Sequence, residues 1–362
     1  MEVTEFRAGL RAWLAHNDLS PGADHTLDGQ VAQLARVRRA LYDAGWMRYG
    51  WPARVGGLGG PALLRAVLGE EVAERDLAEP GIYSMIEVLA PTMISYARPA
   101  LAADMVPRLL SGREQWCQGF SEPGSGSDLA SITTKAVARG PDWVINGQKV
   151  WTSLAQYAAR CVLLARTGLG HDGITAFFLD MDSPGVTVRP LRTMHGVDEF
   201  AEVYFDDVVV PADRMLGNPG DGWRVAMDLL PHERSACFWH RIAYLFTRLD
   251  RLLAHTAIPD AADLGAAYLA LHTVRCRSRA TQRRLAAGAR LGPETSIDKV
   301  LLATAEQHLF DTVRDLLPGA LELTDLEWRT EYLYSRAATI YGGTAEIQRN
   351  IIARRLLDLG KD

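Results

Sequence analysis

The chain has 362 residues, of which 48% are hydrophobic and 23% are charged. These values are typical of a soluble globular protein, and the length predicts two or three packed subdomains rather than one core. The net charge of -5 argues against nucleic-acid binding, and no run of about 18 apolar residues occurs, which argues against membrane insertion.

The N-terminus and the cysteines indicate a reducing compartment. Residues 1–6 are acidic and amphipathic, which does not fit a secretory signal. The four cysteines, Cys117, Cys161, Cys237 and Cys276, are isolated in the sequence and form no C-x-x-C pair. We therefore predict free thiols in a cytoplasmic protein, with neither disulfides nor a metal site.

The first zone of the chain, from Met1 to about Gly112, has the apolar spacing of helices. Phe6, Leu10 and Leu14 recur at helical intervals, and a similar series follows at residues 31–41. Residues 50–61 are rich in glycine and proline, so the sequence predicts a loop there. A further helix is predicted over residues 63–74.

The second zone, residues 115–216, has the texture of strands. Asn146-Gly147 separates two short apolar segments, and this dipeptide favours a type I′ turn because both residues accept a positive φ. We therefore predict a hairpin centred on Asn146-Gly147. Further strands are predicted over residues 161–165, 174–179, 186–191 and 202–210, which together indicate a small antiparallel β domain.

The third zone, from Gly222 to about Arg355, returns to helical spacing. Ser296 precedes an apolar series and is predicted as a helix N-cap. Helices are predicted over residues 223–230, 235–253, 264–287, 296–317 and 344–357. The predicted fold is mostly α with a central β domain, and the predicted domains are residues 1–114, 115–217 and 218–362.

Two segments of the second zone carry candidate ligand groups. Residues 117–128 form a Gly/Ser-rich stretch that either binds a flavin or phosphate through backbone N–H groups and hydroxyls or simply connects two zones. Trp151 is followed by Thr152 and Ser153. This group either packs an indole and hydroxyls against a cofactor ring or is a core tryptophan beside a turn. The residues alone leave both alternatives open.

Three motifs resemble those of the acyl-CoA dehydrogenase family, and they span most of the chain. They are Glu-Pro-Gly-x-Gly-Ser-Asp at residues 122–128, Asn-Gly-x-Lys-x-Trp-Thr-Ser at 146–153 and Gly-Thr-x-Glu-Ile-Gln-Arg at 343–349. The resemblance implies a helical N-terminal domain, an antiparallel, barrel-like middle domain and a C-terminal four-helix bundle. It also implies FAD as cofactor and an acyl thioester as substrate.

The resemblance further implies roles for individual residues. Those expected to contact FAD are Phe120, Ser121, Gly126, Ser127, Trp151, Thr152, Ser153, Thr344 and Glu346. Those expected to contact the substrate are Ser127, Arg234, Tyr341 and Gly342. Gly342 is expected to act in catalysis through its backbone N–H, as a donor to the thioester oxygen.

The catalytic base is the point at which the sequence departs from the common family pattern. In common members a glutamate follows the C-terminal tyrosine and removes the α-proton of the substrate, whereas here Gly342 follows Tyr341. Glu233 offers the missing carboxylate. The pair Glu233-Arg234 after Pro231 also fits a solvated first turn of a helix. The resemblance favours Glu233 as base, because isovaleryl-type and long-chain-type members place their base in this helix.

Two family elements are missing, and both concern the FAD site. Residues 254–259 do not match the Arg-x-x-Phe-Gly element that contacts the FAD of a partner subunit, and residues 317–320 retain only part of a Gly-Gly-x-Gly loop. These departures are typical of an actinobacterial-type branch, some of whose members form mixed tetramers. We therefore expect a homo- or hetero-oligomer, dimer or tetramer, that passes electrons to an electron-transfer flavoprotein or a similar acceptor.

The predicted reaction is FAD-dependent α,β-dehydrogenation of an acyl-CoA to a trans-2-enoyl-CoA. Glu233 is expected to take the α-proton, and flavin N5 the β-hydride. Three alternatives stay open at the level of the sequence. In the first, the acyl group is attached to an acyl-carrier protein in a biosynthetic pathway. In the second, the chain is a flavin monooxygenase of the same fold. In the third, it is one subunit of a heterotetrameric dehydrogenase.

Overall fold

The N-terminal zone is helical, as predicted. The structure is a computed structural model that describes residues 1–22, 24–77, 85–254, 261–324 and 326–360. Helix formation follows local signals: Phe6, Leu10 and Leu14 form one buried face, and Thr26 caps a helix by accepting a hydrogen bond from the Gly29 N–H. The described helices here are α1 (Val3–His16), α2 (Leu27–Asp43), α3 (Leu63–Ala73), α4 (Met85–Tyr96) and α5 (Pro99–Leu110).

A sheet occupies the middle of the chain. Its strands are β1 (Gln115–Gly119), β2 (Lys135–Arg139), β3 (Asp142–Ser153), β4 (Ala158–Arg166), β5 (Ile174–Asp180), β6 (Val186–Leu191), β7 (Phe200–Pro211) and β8 (Met215–Leu216). They lie in the order β6-β7-β3-β2-β4-β5-β8, and β1 also pairs with β4. Most neighbours are antiparallel, as predicted, but β1 and β2 run parallel to β4. Parallel pairing needs a long connection between the two strands, and the segments from β1 and from β2 to β4 are long enough.

The predicted hairpin at Asn146-Gly147 is wrong. β3 continues through this dipeptide, and its register against β7 shifts there, so the dipeptide forms a bulge within a strand. Gly147 has a φ of +152°, and a Cβ at this position would lie 2.5 Å from Thr134 Oγ1. The hairpin turn lies instead between β2 and β3, where Gly140 has a φ of +61°.

The C-terminal zone is helical again. Its described α-helices are α6 (Gly222–His232), α7 (Phe238–Leu253), α8 (Ala261–Ala286), α9 (Thr295–Leu316), α10 (Leu326–Ser335) and α11 (Ala345–Arg355). The prediction of Ser296 as an N-cap is wrong, because α9 begins one residue earlier and buries Ser296 inside its first turn. Helix α10 was not predicted, because its sequence lacks a strong apolar stripe.

A π-helical turn joins α6 and α7 into one long helix. The turn covers Glu233–Cys237 and follows Pro231, which lies inside α6. Proline removes a backbone hydrogen-bond donor, and its ring clashes with the preceding turn of the helix. Prolines and π turns are both known sites of helix distortion, and the two occur next to each other here. Glu233 therefore lies in the middle of a helix, and its interpretation as a solvated first-turn residue is wrong. Turns of this type occur frequently at functional sites.

Helix α9 is central to the packing of the C-terminal zone. It contacts α7, α8, α10, α11 and the π turn, and its Leu309 and Phe310 are fully buried. This packing brings the π turn, α9 and the start of α11 together. The predicted fold class, mostly α with a central sheet domain, is confirmed. Within the described ranges, no helix is long and apolar enough to cross a membrane.

Candidate active site

A buried carboxylate shapes the Gly/Ser-rich loop after β1. Glu122 is only 5% exposed. Its Oε2 accepts hydrogen bonds from the backbone N–H and the hydroxyl of Thr133 at 2.6 and 2.8 Å, and its Oε1 accepts one from the Thr134 N–H at 2.9 Å. Lys149 Nζ donates to the same Oε1 at 2.8 Å. Four donors on one carboxylate fix the path of the loop.

The ionisation of this pair follows from its surroundings. Burial alone would raise the pKa of Glu122, but the charge and hydrogen bond of Lys149 and the donors from Thr133 and Thr134 lower it to about 2. Burial lowers the pKa of Lys149 to about 8, against the opposing effect of Glu122. At neutral pH both groups are therefore charged, and the ion pair is intact.

The same lysine aligns the loop with the end of β3. Lys149 Nζ also donates to the Phe120 carbonyl at 3.0 Å, and the Val150 N–H donates to the Ser121 carbonyl at 3.0 Å. Phe120 and Ser121, which were predicted to line FAD, therefore lie beside the strand segment that leads into Trp151. The structure brings these two motifs together, although they are far apart in the sequence.

Trp151 adopts a conformation that packing alone does not explain. Its φ is +60°, a region that bulky residues enter only at a cost. The residue is 61% exposed, and its ring meets that of Phe200 edge-on with the ring centroids 5.9 Å apart. The next residue, Thr152, is buried, and among the described residues no hydrogen-bond partner is within reach of its Oγ1. Ser153 is half-buried. An exposed ring surface beside an unpartnered hydroxyl fits a planar polar cofactor such as a flavin.

The remaining residues predicted to contact FAD lie at the surface or at a helix start. A Cβ at Gly126 would meet open space, and Ser127 is exposed. Thr344 caps α11, because its hydroxyl accepts a hydrogen bond from the Ile347 N–H at 3.3 Å. Glu346 is exposed in the first turn of α11, where a carboxylate suits the positive end of the helix dipole. FAD contacts by these four residues stay a prediction.

The π turn places Glu233 against the C-terminal motif. Gly342 has a φ of +63°, and a Cβ built on it would lie 3.0 Å from Glu233 Oε1 and 3.7 Å from Lys299 Cε. The Glu233 carboxylate therefore occupies the space next to position 342, where a glutamate would carry its side chain in common family members. Positions 233 and 342, which the sequence analysis treats as the two alternative locations of the catalytic base, are therefore neighbours in the structure.

The backbone around Gly342 is held by two side chains. Arg234 Nε donates to the Gly342 carbonyl at 3.1 Å, and Gln348 Nε2 donates to the carbonyls of Gly342 and Gly343 at 3.2 and 3.3 Å. Among the described residues, the Gly342 N–H donates no backbone hydrogen bond. This N–H is thus available as a donor, as a site that polarises a carbonyl requires.

The charge on Glu233 is balanced by several groups. Burial raises the pKa of Glu233, while the positive charge of Arg234, a hydrogen bond from the Gln118 amide and the charge of Lys299 act in the opposite direction. Gln118 belongs to β1, so the middle sheet contributes directly to the surroundings of the carboxylate. A partly desolvated carboxylate with a raised pKa is a stronger base than one in water.

Several residues of the site were not predicted from the sequence. Glu122 and Lys149 lie inside the recognised motifs, and their opposite charges were the sequence signal that could have indicated an ion pair between them. Gln118 and Lys299 reach the site from β1 and α9 and gave no local signal. Of the two missing family elements, residues 255–259 lie outside the described residues. The other, at residues 317–320, directly follows α9, and its Gly319 has a φ of +82°.

Comparison with known proteins identifies the family. The family models "Acyl-CoA dehydrogenase, N-terminal domain", "Acyl-CoA dehydrogenase, middle domain" and "Acyl-CoA dehydrogenase, C-terminal domain" match residues 2–113, 117–208 and 220–357. The chain belongs to the acyl-CoA dehydrogenase family. It is an oxidoreductase that uses FAD, as the sequence predicted, and the exposed Trp151 indole and the Thr152 hydroxyl fit this cofactor.

The relatives cover the whole chain. "Acyl-CoA dehydrogenase IpdE1" of Mycobacterium tuberculosis is 38% identical over an alignment of 396 positions, gaps included, which covers 100% of this chain and 99% of that protein. The ChsE4-ChsE5 complex from Mycobacterium tuberculosis aligns with a TM-score of 0.79 and 26% identity, over 99% of this chain and 98% of that one. The Tcur3481-Tcur3483 steroid ACAD aligns with a TM-score of 0.84 and 24% identity over the same shares, a likeness of fold.

Proposed function

We propose that the protein catalyses the α,β-dehydrogenation of an acyl-CoA, with Glu233 as the base that removes the α-proton. The observation that carries this proposal is the distance of 3.0 Å between Glu233 Oε1 and the Cβ position of residue 342. A carboxylate at this point serves the proton that common family members address from position 342. The base is thus supplied from the π turn rather than from the segment before α11.

The chain supplies polarisation and proton removal at adjacent points. The Gly342 N–H is positioned to donate to the thioester carbonyl, which stabilises the enolate character that develops at that oxygen. The Glu233 carboxylate takes the α-proton and becomes a neutral acid, so the negative charge moves from protein to substrate. FAD, when bound, accepts the β-hydride, and loss of both hydrogens leaves a double bond between the α- and β-carbons.

The held backbone around position 342 supports this division of roles. Arg234 and Gln348 hold the Gly342 carbonyl, which belongs to the peptide unit that directly follows the donor N–H. A backbone donor does not depend on the side chain at its position. Loss of the usual glutamate therefore leaves the polarising group intact while the base is relocated to Glu233.

Acyl-CoA turnover and reaction with oxygen distinguish this proposal from a monooxygenase of the same fold. We expect a panel of acyl-CoAs to bleach the flavin of the purified protein under anaerobic conditions, and we expect the product to carry a new double bond. Oxygen uptake without an added electron acceptor, together with no bleaching by any acyl-CoA, would contradict the proposal. Parallel trials with acyl-carrier-protein thioesters decide which thiol carries the acyl group.

An unlike partner chain is the second element of the proposed function. The solved ChsE4-ChsE5 assembly, 26% identical to this chain, is a complex of two gene products. Residues 317–320 depart from the family loop that contacts the flavin. We infer that the FAD site is completed across a subunit interface and that an unlike chain supplies the missing contacts. An electron-transfer flavoprotein is the acceptor that we expect for the reduced enzyme.

A further inference from the structure

A buried cation lies beside the proposed base. Lys299 belongs to α9 and is only 2% exposed. Its Nζ donates a hydrogen bond to the Ala338 carbonyl and lies 4.6 Å from the centroid of the Tyr341 ring. An ammonium has three donors, and burial of its charge is costly unless negative groups are near. The carbonyl and the ring provide partial compensation only.

Lys299 and Glu233 flank the same point in the site. The Cβ position of residue 342 lies 3.7 Å from Lys299 Cε and 3.0 Å from Glu233 Oε1. The two side chains reach this point from different elements, α9 and the π turn. The fold therefore holds a positive and a negative side chain next to the same backbone position, residue 342.

We propose that Lys299 is a positioning residue for the base, whose ammonium keeps the Glu233 carboxylate ionised and directed toward residue 342. This inference rests on the proposed function, because it assigns Lys299 a role only through Glu233. Lys299 does not take part in proton transfer itself. Its effect is electrostatic: attraction between the two charges favours the state in which Glu233 is able to accept a proton.

Lys299 is not the only group that acts on Glu233. Arg234 shares the π turn, and its charge also favours the ionised carboxylate, while its Nε holds the Gly342 carbonyl. Gln118 from β1 is neutral, and Gln282 from α8 donates to the Ser235 carbonyl. On α4, the carboxylate of Glu87 is paired with Arg65.

The charge of Lys299 is present under working conditions. Burial lowers the pKa of Lys299 to about 8, while Glu306 and Glu233 act in the opposite direction. Below that pH the side chain is protonated, so Lys299 is a cation at neutral and acidic pH. Arg234 opposes the protonated form of Lys299 as well, which makes Glu233 and Glu306 the stabilising partners.

The test is the pH dependence of kcat/KM in Lys299→Met, measured with an acyl-CoA that the wild-type protein oxidises. Loss of the cation is expected to move the acid limb of the profile upward by about one to three pH units, the effect of removing one opposite charge nearby. Flavin content is expected to be unchanged, and Lys299→Arg is expected to restore the limb. Lys135→Met, at an exposed position on β2, is the control and is expected to match the wild type.

A second measurement needs no substrate. The infrared band of the protonated Glu233 carboxyl is identified by its absence from Glu233→Gln, and its titration is followed in each variant. In Lys299→Met, and in Lys299→Gln, which keeps a donor for the Ala338 carbonyl, the band is expected to persist to higher pH than in the wild type. Lys299→Gln is the substitute if the methionine variant does not fold.

An unmoved Glu233 titration and an unmoved acid limb in both neutral variants would overturn the inference about Lys299. That outcome leaves the proposed function standing if Glu233→Gln is inactive. Conversely, an active Glu233→Gln would remove Glu233 as base and would contradict the proposed function. The two failures are therefore distinguishable.

Discussion

At the scale of single residues, Trp151 combines a strained backbone conformation with a solvent-exposed side chain. Its φ of +60° and its 61% exposure are both unfavourable in a residue that only packs a core. Strain of this kind costs about 1–3 kcal/mol and clusters at ligand sites, where the surrounding structure maintains it. The exposed ring and the Thr152 hydroxyl, which has no hydrogen-bond partner among the described residues, form a surface that suits a planar polar ligand.

Trp151→Ala is expected to weaken flavin retention while the fold is kept. Alanine retains a Cβ, so the strained backbone is unchanged and the variant reports on the indole itself. We expect a lower flavin-to-protein absorbance ratio after dialysis and a higher dissociation constant in FAD titrations. Trp13→Ala, at a half-buried indole on α1, is the control. Equal flavin content in wild type and Trp151→Ala would show that the Trp151 indole does not bind the flavin and has a structural role only.

Glu122 carries a second prediction at this scale, because its folded pKa of about 2 lies below the ordinary value of 4.5. A lowered carboxyl pKa stabilises the folded state fully above pH 4.5, and this contribution is lost as the pH falls toward 2. Breaking a buried ion pair on one side typically costs about 3–5 kcal/mol. Glu122→Gln is therefore expected to lower the free energy of unfolding by about this amount at pH 7.

Urea unfolding at a series of pH values measures this effect. The difference between wild type and Glu122→Gln is expected to shrink as the pH falls from 4.5 toward 2, because the wild-type carboxylate then becomes protonated. Glu5→Gln, at an exposed position on α1, serves as the control. A difference that does not change with pH would show that the Glu122 charge does not stabilise the loop.

At the scale of elements, the bulge in β3 fixes how the strand meets its neighbours. Gly147 has a φ of +152°, and a Cβ there would lie 2.5 Å from Thr134 Oγ1 and 2.6 Å from Thr134 Cα. Gly147→Ala is expected to lower the free energy of unfolding by about 1–3 kcal/mol, the usual cost of overpacking. Gly22→Ala, where a Cβ meets open space, is expected to unfold like the wild type. Equal stability of both variants would contradict the assigned contact.

The elements also show what the sequence could and could not predict. The order and type of the zones followed from periodicity, and the family resemblance singled out Glu233 because Gly342 lacks a carboxylate. The prediction of a hairpin at Asn146-Gly147 was wrong because a bulge and a hairpin turn favour the same residues. Only the pairing of β3 with β7 distinguishes the bulge from the turn. Lys299 could not be predicted, since its proximity to Glu233 arises from the packing of α9 against the π turn.

At the scale of the whole molecule, the FAD site is expected to depend on assembly. We predict that the chain forms an oligomer, and that a full complement of FAD requires an unlike partner chain. Light scattering after size exclusion, combined with the flavin absorbance of the same peak, measures both properties. A monodisperse, active homotetramer that is fully loaded with flavin would exclude an obligate partner, whereas flavin gained only on co-expression with a second chain would support one.

The central claim, Glu233 as the base, is tested most directly by flavin bleaching in Glu233→Gln. Glutamine keeps the shape of the side chain but cannot accept the α-proton, and loss of such a group typically slows proton transfer by about two to four powers of ten. With an acyl-CoA that the wild type oxidises, the account predicts bleaching slowed by this factor and an unchanged FAD content. Bleaching at the wild-type rate in Glu233→Gln would contradict it.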